Sequence, residues 1–107
     1  MLVDEAITAS ADVDRALRKS NANDYFAGRG GGIGQGLAGG LGVAVGIPDR
    51  KIVTISGDGS AMYSIQALWT AAHHNLDILF VILANAEYRV LKHNLDCLLY
   101  TSDAADD

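Results

Sequence analysis

Two side chains with oxygen ligands follow two strand-like segments of this sequence. Asp58 comes just after the β-branched segment 51–56, and Asn85 ends the apolar segment 77–84, twenty-seven positions after Asp58. Ligands of open α/β sheets bind in the crevice outside the carboxyl ends of the strands, so neighbouring strands would direct both side chains into one crevice. Together with backbone carbonyls, they form an oxygen-only ligand set, which suits a Mg²⁺ ion that also binds phosphate groups. These residues therefore indicate a metal ion that bridges the protein and a diphosphate.

The residues around Asp58 have the chemistry that such a site requires. Gly57 and Gly59 allow the backbone to turn tightly around the carboxylate. Ser60 begins the next segment, where its hydroxyl and free amide hydrogens can donate to a phosphate at a helix N-terminus. Taken singly, Asp58 could simply be a turn former, and Asn85 could simply cap the following helix. Their joint spacing favours the metal and phosphate site.

Strands over 51–56 and 77–84 must position this site, with a helix between them. The second strand is continuously apolar, which predicts a parallel sheet covered on both faces. The intervening helix, 64–74, is amphipathic, with one apolar face and Trp69 in the core; that face comprises Ile65, Leu68, Trp69 and Ala72. A turn is expected at 21–24. Further helices are predicted over 12–19, with Ser10 as N-cap, and from Asn85 through His93.

The segment 28–46 contains ten of the twelve glycines. Apolar residues recur four positions apart in its second half, from Ile33 to Val45, which favours a helix. Each glycine costs a helix about 1 kcal/mol relative to alanine, so we expect another backbone or a ligand to approach this helix closely.

The same segment supports an alternative function. Gly34, Gly36 and Gly39 match the pattern Gly-x-Gly-x-x-Gly, and Asp58 follows about 20 residues later, as in Rossmann-type domains that bind NAD or other nucleotides. That fingerprint requires a preceding strand, and none is predicted before Gly34. Adjacent His73 and His74 point to different helix faces and are interpreted as structural.

Composition limits the other function classes. A chain of 107 residues with one cysteine forms one small domain without an internal disulfide or a multi-cysteine metal site. The net charge of −5, without a basic cluster, argues against nucleic acid as a partner. No apolar run reaches the roughly 20 residues that span a membrane, and no secretory signal opens the chain. We therefore expect a cytoplasmic protein without a membrane partner.

The segment Gly57-Asp58-Gly59-Ser60, followed by Asn85, resembles the signature of thiamine diphosphate enzymes, which is Gly-Asp-Gly, a spacer and Asn-Asn. The flanking segments 30–34 and 60–74 look like those of benzoylformate decarboxylase and acetolactate synthase-like proteins, and the similarity runs from about Val3 to Asp96. The resemblance implies a truncated three-layer αβα fold with a parallel sheet, in which residues 1–96 form part of the diphosphate-binding domain. It also implies thiamine diphosphate and Mg²⁺ as cofactors and a 2-keto acid as substrate.

The resemblance assigns roles by position. Asp58 and Asn85 would ligate Mg²⁺ by their side chains, and Glu87 by its backbone carbonyl. The other predicted cofactor contacts are Gly57, Gly59 and Ser60 at the diphosphate, Thr8 from the first loop, Tyr88 beside the diphosphate or substrate, the Gly31 carbonyl at the 4′-amino group, and Ile33 beneath the bent cofactor. Ala84 replaces the first asparagine of the signature, which removes some support around the metal.

The family's activating glutamate lies on a separate domain, supplied by a partner subunit. This chain has only Glu5 and Glu87, and neither matches that context. The resemblance therefore implies that the parent enzyme is at least a dimer, either a homodimer or a homotetramer. It also implies that this fragment is inactive alone. A further hypothesis is that the isolated fragment exposes apolar sheet faces and aggregates.

Residues 97–107 do not fit the preceding sequence. They resemble the in-frame translation of a transposase adapter used in sequencing libraries, so we predict that they are a non-native tail. The alternative is a genuine acidic tail. Flanking genomic DNA that encodes these residues in a continuous frame would contradict the adapter hypothesis.

Overall fold

In the part of the chain that the structure describes, four parallel strands form one sheet in the order β2-β1-β3-β4. The computed structural model describes residues 1–17 and 22–106. Its elements, in chain order, are β1 (Leu2–Glu5), α1 (Ser10–Ala16), β2 (Tyr25–Ala27), α2 (Gln35–Gly46), β3 (Ile52–Gly57), α3 (Asp58–Met62), α4 (Ala67–His73), β4 (Ile78–Leu83) and α5 (Arg89–Asp106), with 3₁₀ turns at Ile7–Ala9 and Ala22–Asp24. The predicted α/β class with a parallel sheet is confirmed.

The two predicted strands are confirmed as β3 and β4, and they are neighbours. Their register pairs Ser56 with Ile82 and Gly57 with Leu83. Since both strands run in the same direction, the segments that begin at Asp58 and Ala84 leave the sheet at the same edge. This register is what brings the two halves of the predicted site together.

The central strand β1 was not predicted, and its four residues Leu-Val-Asp-Glu are all buried. It pairs in parallel with β2 on one side and with β3 on the other. Asp4 and Glu5 point to opposite faces of the sheet because side chains alternate along a strand. Both carboxylates are satisfied by hydrogen bonds from distant parts of the chain, and this allows two acidic residues in a central strand.

Helix α2 packs against the sheet through its glycines. A Cβ on Gly36 would lie 2.8 Å from Cβ of Glu5, and one on Gly40 would overlap the hydroxyl of Thr54. The atoms that approach these glycines closely belong to side chains of β1 and β3, whereas the sequence predicted another backbone or a ligand. The packing buries two adjoining clusters between the helices and the sheet, which centre on Val3, Ala44 and Ile52 and on Leu37, Ala61 and Ala67.

The predicted helix 64–74 is wrong in its extent and in its buried face. Residues 58–62 and 67–73 form separate helices, and α4 buries Ala67 and Ala71 instead of the larger apolar residues. Trp69, predicted in the core, is 68% exposed. The physical reason is that larger side chains of α2 and β4 occupy the cluster that Ala67 joins, namely Leu37, Leu41 and Phe80, so α4 meets them with its small residues.

The ends of two other helices also differ from the prediction. Helix α1 begins at Ser10 and its N-cap is Ala9, so the prediction that Ser10 is the N-cap is wrong. The Ser10 hydroxyl instead donates a hydrogen bond to Asp4 at 3.2 Å. The parts of the predicted helix and turn at 18–21 lie outside the described residues. Helix α5 continues past His93 to Asp106 because neither glycine nor proline interrupts it. The origin of residues 97–107 stays a prediction.

The prediction that β4 is covered on both faces is wrong for this chain. Leu79 on one face is 51% exposed, and Ile82 on the other is 39% exposed. The cause is the position of β4 at the edge of the described sheet, where the helices cover it only in part. Within the described residues, none of the helices combines the length and apolar character needed to cross a membrane.

Tyr25 provides a test of the packing around β1. Its hydroxyl donates to Oδ2 of Asp4 at 2.6 Å, and burial together with this hydrogen bond raises the pKa of Tyr25 from 10.0 to about 12. The folded state therefore holds the phenol proton more tightly than the unfolded state does. We expect this contribution to stability to be complete below pH 10.0 and to disappear as the pH rises through about 12.

An alkaline titration that follows tyrosinate absorbance should show one late step, and Tyr25→Phe should remove it. The same variant should lose less stability than the parent chain between pH 10.0 and about 12. A Tyr25 that titrates together with the other tyrosines would show that its hydrogen bond to Asp4 is not maintained in solution.

Candidate active-site cleft

A cleft of about 430 Å³ lies at the carboxyl ends of β1, β3 and β4. Its lining includes all ten residues predicted from the sequence, namely Thr8, Gly31, Ile33, Gly57, Asp58, Gly59, Ser60, Asn85, Glu87 and Tyr88. They come from four separate segments of the chain, which the parallel sheet and its loops bring to one edge.

Asp58 links the ends of the two strands. It is the first residue of α3, and its Oδ1 accepts a hydrogen bond from the Gly59 amide at 3.0 Å. Its Oδ2 accepts from the Ala86 amide at 2.9 Å, across the gap between β3 and β4. Each carboxylate oxygen retains a lone pair, so the group can still ligate a cation.

Asn85 lies in the loop that leaves β4. Its Oδ1 accepts from the Glu87 amide at 3.1 Å, which folds the loop back on itself. The capping alternative is not favoured, because α5 starts only at Arg89. Ala86 has a φ of +56°, a left-handed conformation that is unusual for alanine and that accompanies the bond from its amide to Asp58.

The carboxylate of Glu87 faces basic side chains of α5. Oε1 lies 2.7 Å from Nε of Arg89, and Oε2 lies 3.9 Å from Nζ of Lys92. The hydrogen bond from Arg89, with a smaller contribution from the charge of Lys92, lowers the pKa of Glu87 below its usual value. Arg89 and Lys92 thus hold the Glu87 side chain.

Tyr88 covers the turn that carries Asp58. A Cβ on Gly59 would lie 2.5 Å from Cε1 of Tyr88, so only glycine permits this contact. Ser60, in the first turn of α3, is buried, whereas Tyr88 is half exposed. The side of the cleft near Asp58 therefore combines a small turn, a buried hydroxyl and an aromatic ring.

Gly31, Ile33 and Thr8 also line the cleft. Gly31 has a φ of +71°, a conformation that favours glycine, and both Gly31 and Thr8 are exposed. Ile33 is partly buried. These three residues lie on the loop before α2 and on the 3₁₀ turn after β1.

Seven further lining residues were not predicted from the sequence, namely Ala6, Ile7, Tyr63, Arg89, Val90, Leu91 and Asn94. Four of the seven belong to the start of α5, whose position no local pattern reveals. Ile7 has a φ of +52°, unusual for a β-branched residue, and no sequence signal predicts it. Glu5, set aside in the sequence analysis, is buried beneath α2.

The donor set of the cleft suits Mg²⁺ better than zinc. In the described part of the chain, no group of three or more His, Cys, Asp and Glu residues is arranged to hold a metal ion. One carboxylate and one amide oxygen fit a cation that shares its coordination with phosphate. His73 and His74 lie outside the cleft, at the end of α4, where the His73 ring stacks on Trp69.

The Rossmann alternative is not favoured. A strand, β2, does precede Gly34, so the expectation that none precedes it is wrong. However, a Cβ on Gly34 would collide with Tyr63, and one on Gly36 with Glu5, so these glycines serve contacts inside the protein. The glycines that line the cleft are Gly31, Gly57 and Gly59.

Comparison with known proteins agrees with this geometry. Residues 8–105 match the family described as thiamine pyrophosphate enzyme, C-terminal TPP binding domain. A Mycobacterium tuberculosis protein, provisionally named an acetolactate synthase large subunit, is 39% identical over 89% of this chain and 18% of its own length. Benzoylformate decarboxylase of Pseudomonas aeruginosa is 43% identical over 64% of this chain and 13% of its own length.

The fold is similar to that of a solved relative. The crystal structure of benzoylformate decarboxylase from Polynucleobacter necessarius matches 92% of this chain with a TM-score of 0.79 and 26% identity, and this chain covers 19% of it. The chain thus spans less than a fifth of the length of each of these relatives. From the family match over residues 8–105, the chain belongs to the thiamine pyrophosphate enzymes and corresponds to their C-terminal TPP-binding domain.

Proposed function

We propose that the cleft binds thiamine diphosphate through Mg²⁺, and that this chain is the cofactor-binding part of an enzyme that acts on a 2-keto acid. The observation that carries the proposal is the bond from the Ala86 amide to Asp58, which joins the two halves of the predicted metal site. Asp58 and Asn85 would contribute side-chain oxygens. The Glu87 carboxylate is held by Arg89 and Lys92, so Glu87 would contribute its backbone carbonyl.

Different lining residues would contact the two ends of the cofactor. Gly57, Gly59 and Ser60 would hold the diphosphate beside the metal, and Thr8 and Tyr88 would border it. At the other end of the cofactor, the Gly31 carbonyl would bind the pyrimidine amino group and Ile33 would support the bent cofactor. When bound, the cofactor supplies a nucleophilic carbon and an electron sink for chemistry at the keto carbon.

The substrate class rests on the names of the relatives, benzoylformate decarboxylase and acetolactate synthase. Both names refer to chemistry on 2-keto acids, by decarboxylation or by carboligation. We propose the same class for the protein to which this chain belongs.

We also propose that this chain alone binds the cofactor without turning over substrate. Its two glutamates are both engaged, since Glu5 accepts hydrogen bonds from the amides of Gln35 and Gly36 and Glu87 pairs with Arg89. Neither is free to exchange a proton with the cofactor ring. The acid that does so would come from another domain, in an assembly of at least two subunits.

Isothermal titration of the 107-residue chain with thiamine diphosphate, with and without Mg²⁺, tests the proposal. We expect binding only when Mg²⁺ is present, and no binding of NAD. A soluble, folded chain that binds NAD but not thiamine diphosphate would contradict the proposal. Aggregation that neither the cofactor nor Mg²⁺ relieves would instead support the hypothesis that exposed apolar surface, such as Leu79, dominates the isolated chain.

A further inference from the structure

A buried carboxylate lies beneath the first turn of α2. Glu5, the last residue of β1, is 4% exposed. Its Oε1 accepts a hydrogen bond from the Gln35 amide at 2.8 Å, and its Oε2 accepts from the Gly36 amide at 3.0 Å. These two amides open a helix whose local N-cap, Gly34, has no side chain that could satisfy them. A residue thirty positions away in the sequence therefore takes the role of the cap.

The contact depends on a glycine in the helix. A Cβ on Gly36 would lie 2.8 Å from both Cβ and Oε2 of Glu5, so a side chain at this position would push the helix off the carboxylate. The hydroxyl of Ser56, one residue before Gly57, also donates to Oε2 at 3.2 Å. Glu5 thus joins the ends of β1 and β3 to the start of α2.

A further hydrogen bond, which does not involve Glu5, holds the end of the loop that precedes α2. The hydroxyl of Ser64 donates to the Gly34 carbonyl at 2.8 Å, and Gly34 has a φ of +93°. Gly31 and Ile33 lie just before this anchored point and line the same cleft as Asp58. Their position relative to Asp58 is therefore set where Glu5 and Ser64 hold the segment 34–36.

We infer that Glu5 is a positioning residue, which holds the loop of Gly31 and Ile33 at the correct distance from the Asp58 side of the cleft. The inference rests on the proposed function for the identity of the ligand, but the bracing of the loop does not depend on a ligand. Glu5 acts through the backbone amides of α2 and does not itself line the cleft.

The neighbouring residue Asp4 is a matched control. It is equally buried in the same strand, at 3% exposure, and points to the other face of the sheet. It accepts hydrogen bonds from the Ala6 amide and from the Tyr25 hydroxyl, and none of its hydrogen bonds involves α2. Asp4→Asn therefore perturbs β1 to a similar degree without touching the loop.

The first measurement is amide hydrogen exchange by NMR on the ligand-free 107-residue chain. In Glu5→Gln, the amides of Gln35 and Gly36 should exchange roughly tenfold faster or more, relative to the core amides of β3, because an amide side chain cannot accept both hydrogen bonds. In Asp4→Asn these two amides should keep their protection relative to β3. A uniform change in Glu5→Gln, or no change, would overturn the inference.

The second measurement separates the two ends of the ligand. Glu5→Gln should weaken Mg²⁺-dependent binding of thiamine diphosphate by about tenfold and leave binding of inorganic diphosphate with Mg²⁺ within about twofold of the parent chain. Equal losses for both ligands would indicate general destabilisation and would overturn the inference. If the parent chain itself binds neither ligand, the proposed function fails while the exchange experiment still tests Glu5.

If Glu5→Gln does not fold, a milder substitution tests the same contact. Ser56→Ala removes the third hydrogen bond to the Glu5 carboxylate, together with a hydrogen bond to the Gly57 carbonyl, and leaves the two bonds from the α2 amides in place. It should increase exchange at Gln35 and Gly36 in the same direction, by a smaller factor. Unchanged protection of both amides in folded Ser56→Ala would contradict the proposed brace.

Discussion

Replacing Asp58 by alanine is expected to abolish Mg²⁺-dependent binding of thiamine diphosphate. Of the three predicted metal ligands, Asp58 alone would bind through a carboxylate. It also accepts the hydrogen bond from the Ala86 amide that joins the loops after β3 and β4. Loss of residues that merely support metal ligands already costs roughly ten- to a hundredfold in affinity, so loss of the ligand itself should cost more than about a hundredfold. Isothermal titration with and without Mg²⁺ measures the effect.

Asp77→Ala is the matched control for this experiment. Asp77 also carries one negative charge, lies just before β4 at the end away from the cleft, and is exposed where it pairs with Lys51 at 3.6 Å. An exposed ion pair of this kind contributes little to stability, so this variant should bind as the parent chain does. Unchanged Mg²⁺-dependent binding in folded Asp58→Ala would rule out the proposed metal site.

The second large effect concerns the packing of α2. We expect Gly40→Ala to lower the free energy of unfolding by about 1–3 kcal/mol, because the new Cβ overlaps the Thr54 hydroxyl. We expect Gly42→Ala, two residues along the same helix, to raise it by up to about 1 kcal/mol, since nothing lies within 4 Å of the new Cβ. The same substitution should thus have opposite signs at two neighbouring positions.

Urea denaturation followed by circular dichroism measures both variants. The Thr54→Ala background provides a direct test, because it removes the hydroxyl that Gly40→Ala meets. Gly40→Ala should then cost about 1 kcal/mol less than in the parent chain, as expected for coupled neighbours. If Gly40→Ala is as stable as Gly42→Ala, the helix does not pack on the sheet as closely as described.

The candidate site could be predicted largely because its residues follow strands and turns with local signals. Gly57, Asp58 and Gly59 break a β-branched strand, and Asn85 ends an apolar one. Once β3 and β4 pair in parallel, both ends must open at one edge. The roles assigned to Gly31, Ile33 and Thr8 came from resemblance alone, and those roles stay predictions that the titrations can test.

The central strand could not be predicted from local pattern. Asp4 and Glu5 give β1 a sequence that is typical of a surface segment. Each becomes tolerable in the interior only because distant donors reach it, Tyr25 for Asp4 and the first turn of α2 for Glu5. Those donors are specified by the fold as a whole, so a window of a few residues contains no trace of them.

The sequence by itself determined the βαβ pattern, the oxygen ligands at the strand ends and the need for close packing around the glycine-rich helix. Only the tertiary structure decided which face of α4 is buried, which residues complete the cleft from α5, and that a carboxylate from β1 caps α2. Strand and turn signals arise from local backbone preferences, which each segment carries with it. Burial and hydrogen bonding between segments depend on their three-dimensional arrangement, and here α4 buries Ala67 and Ala71 and leaves Trp69 outside.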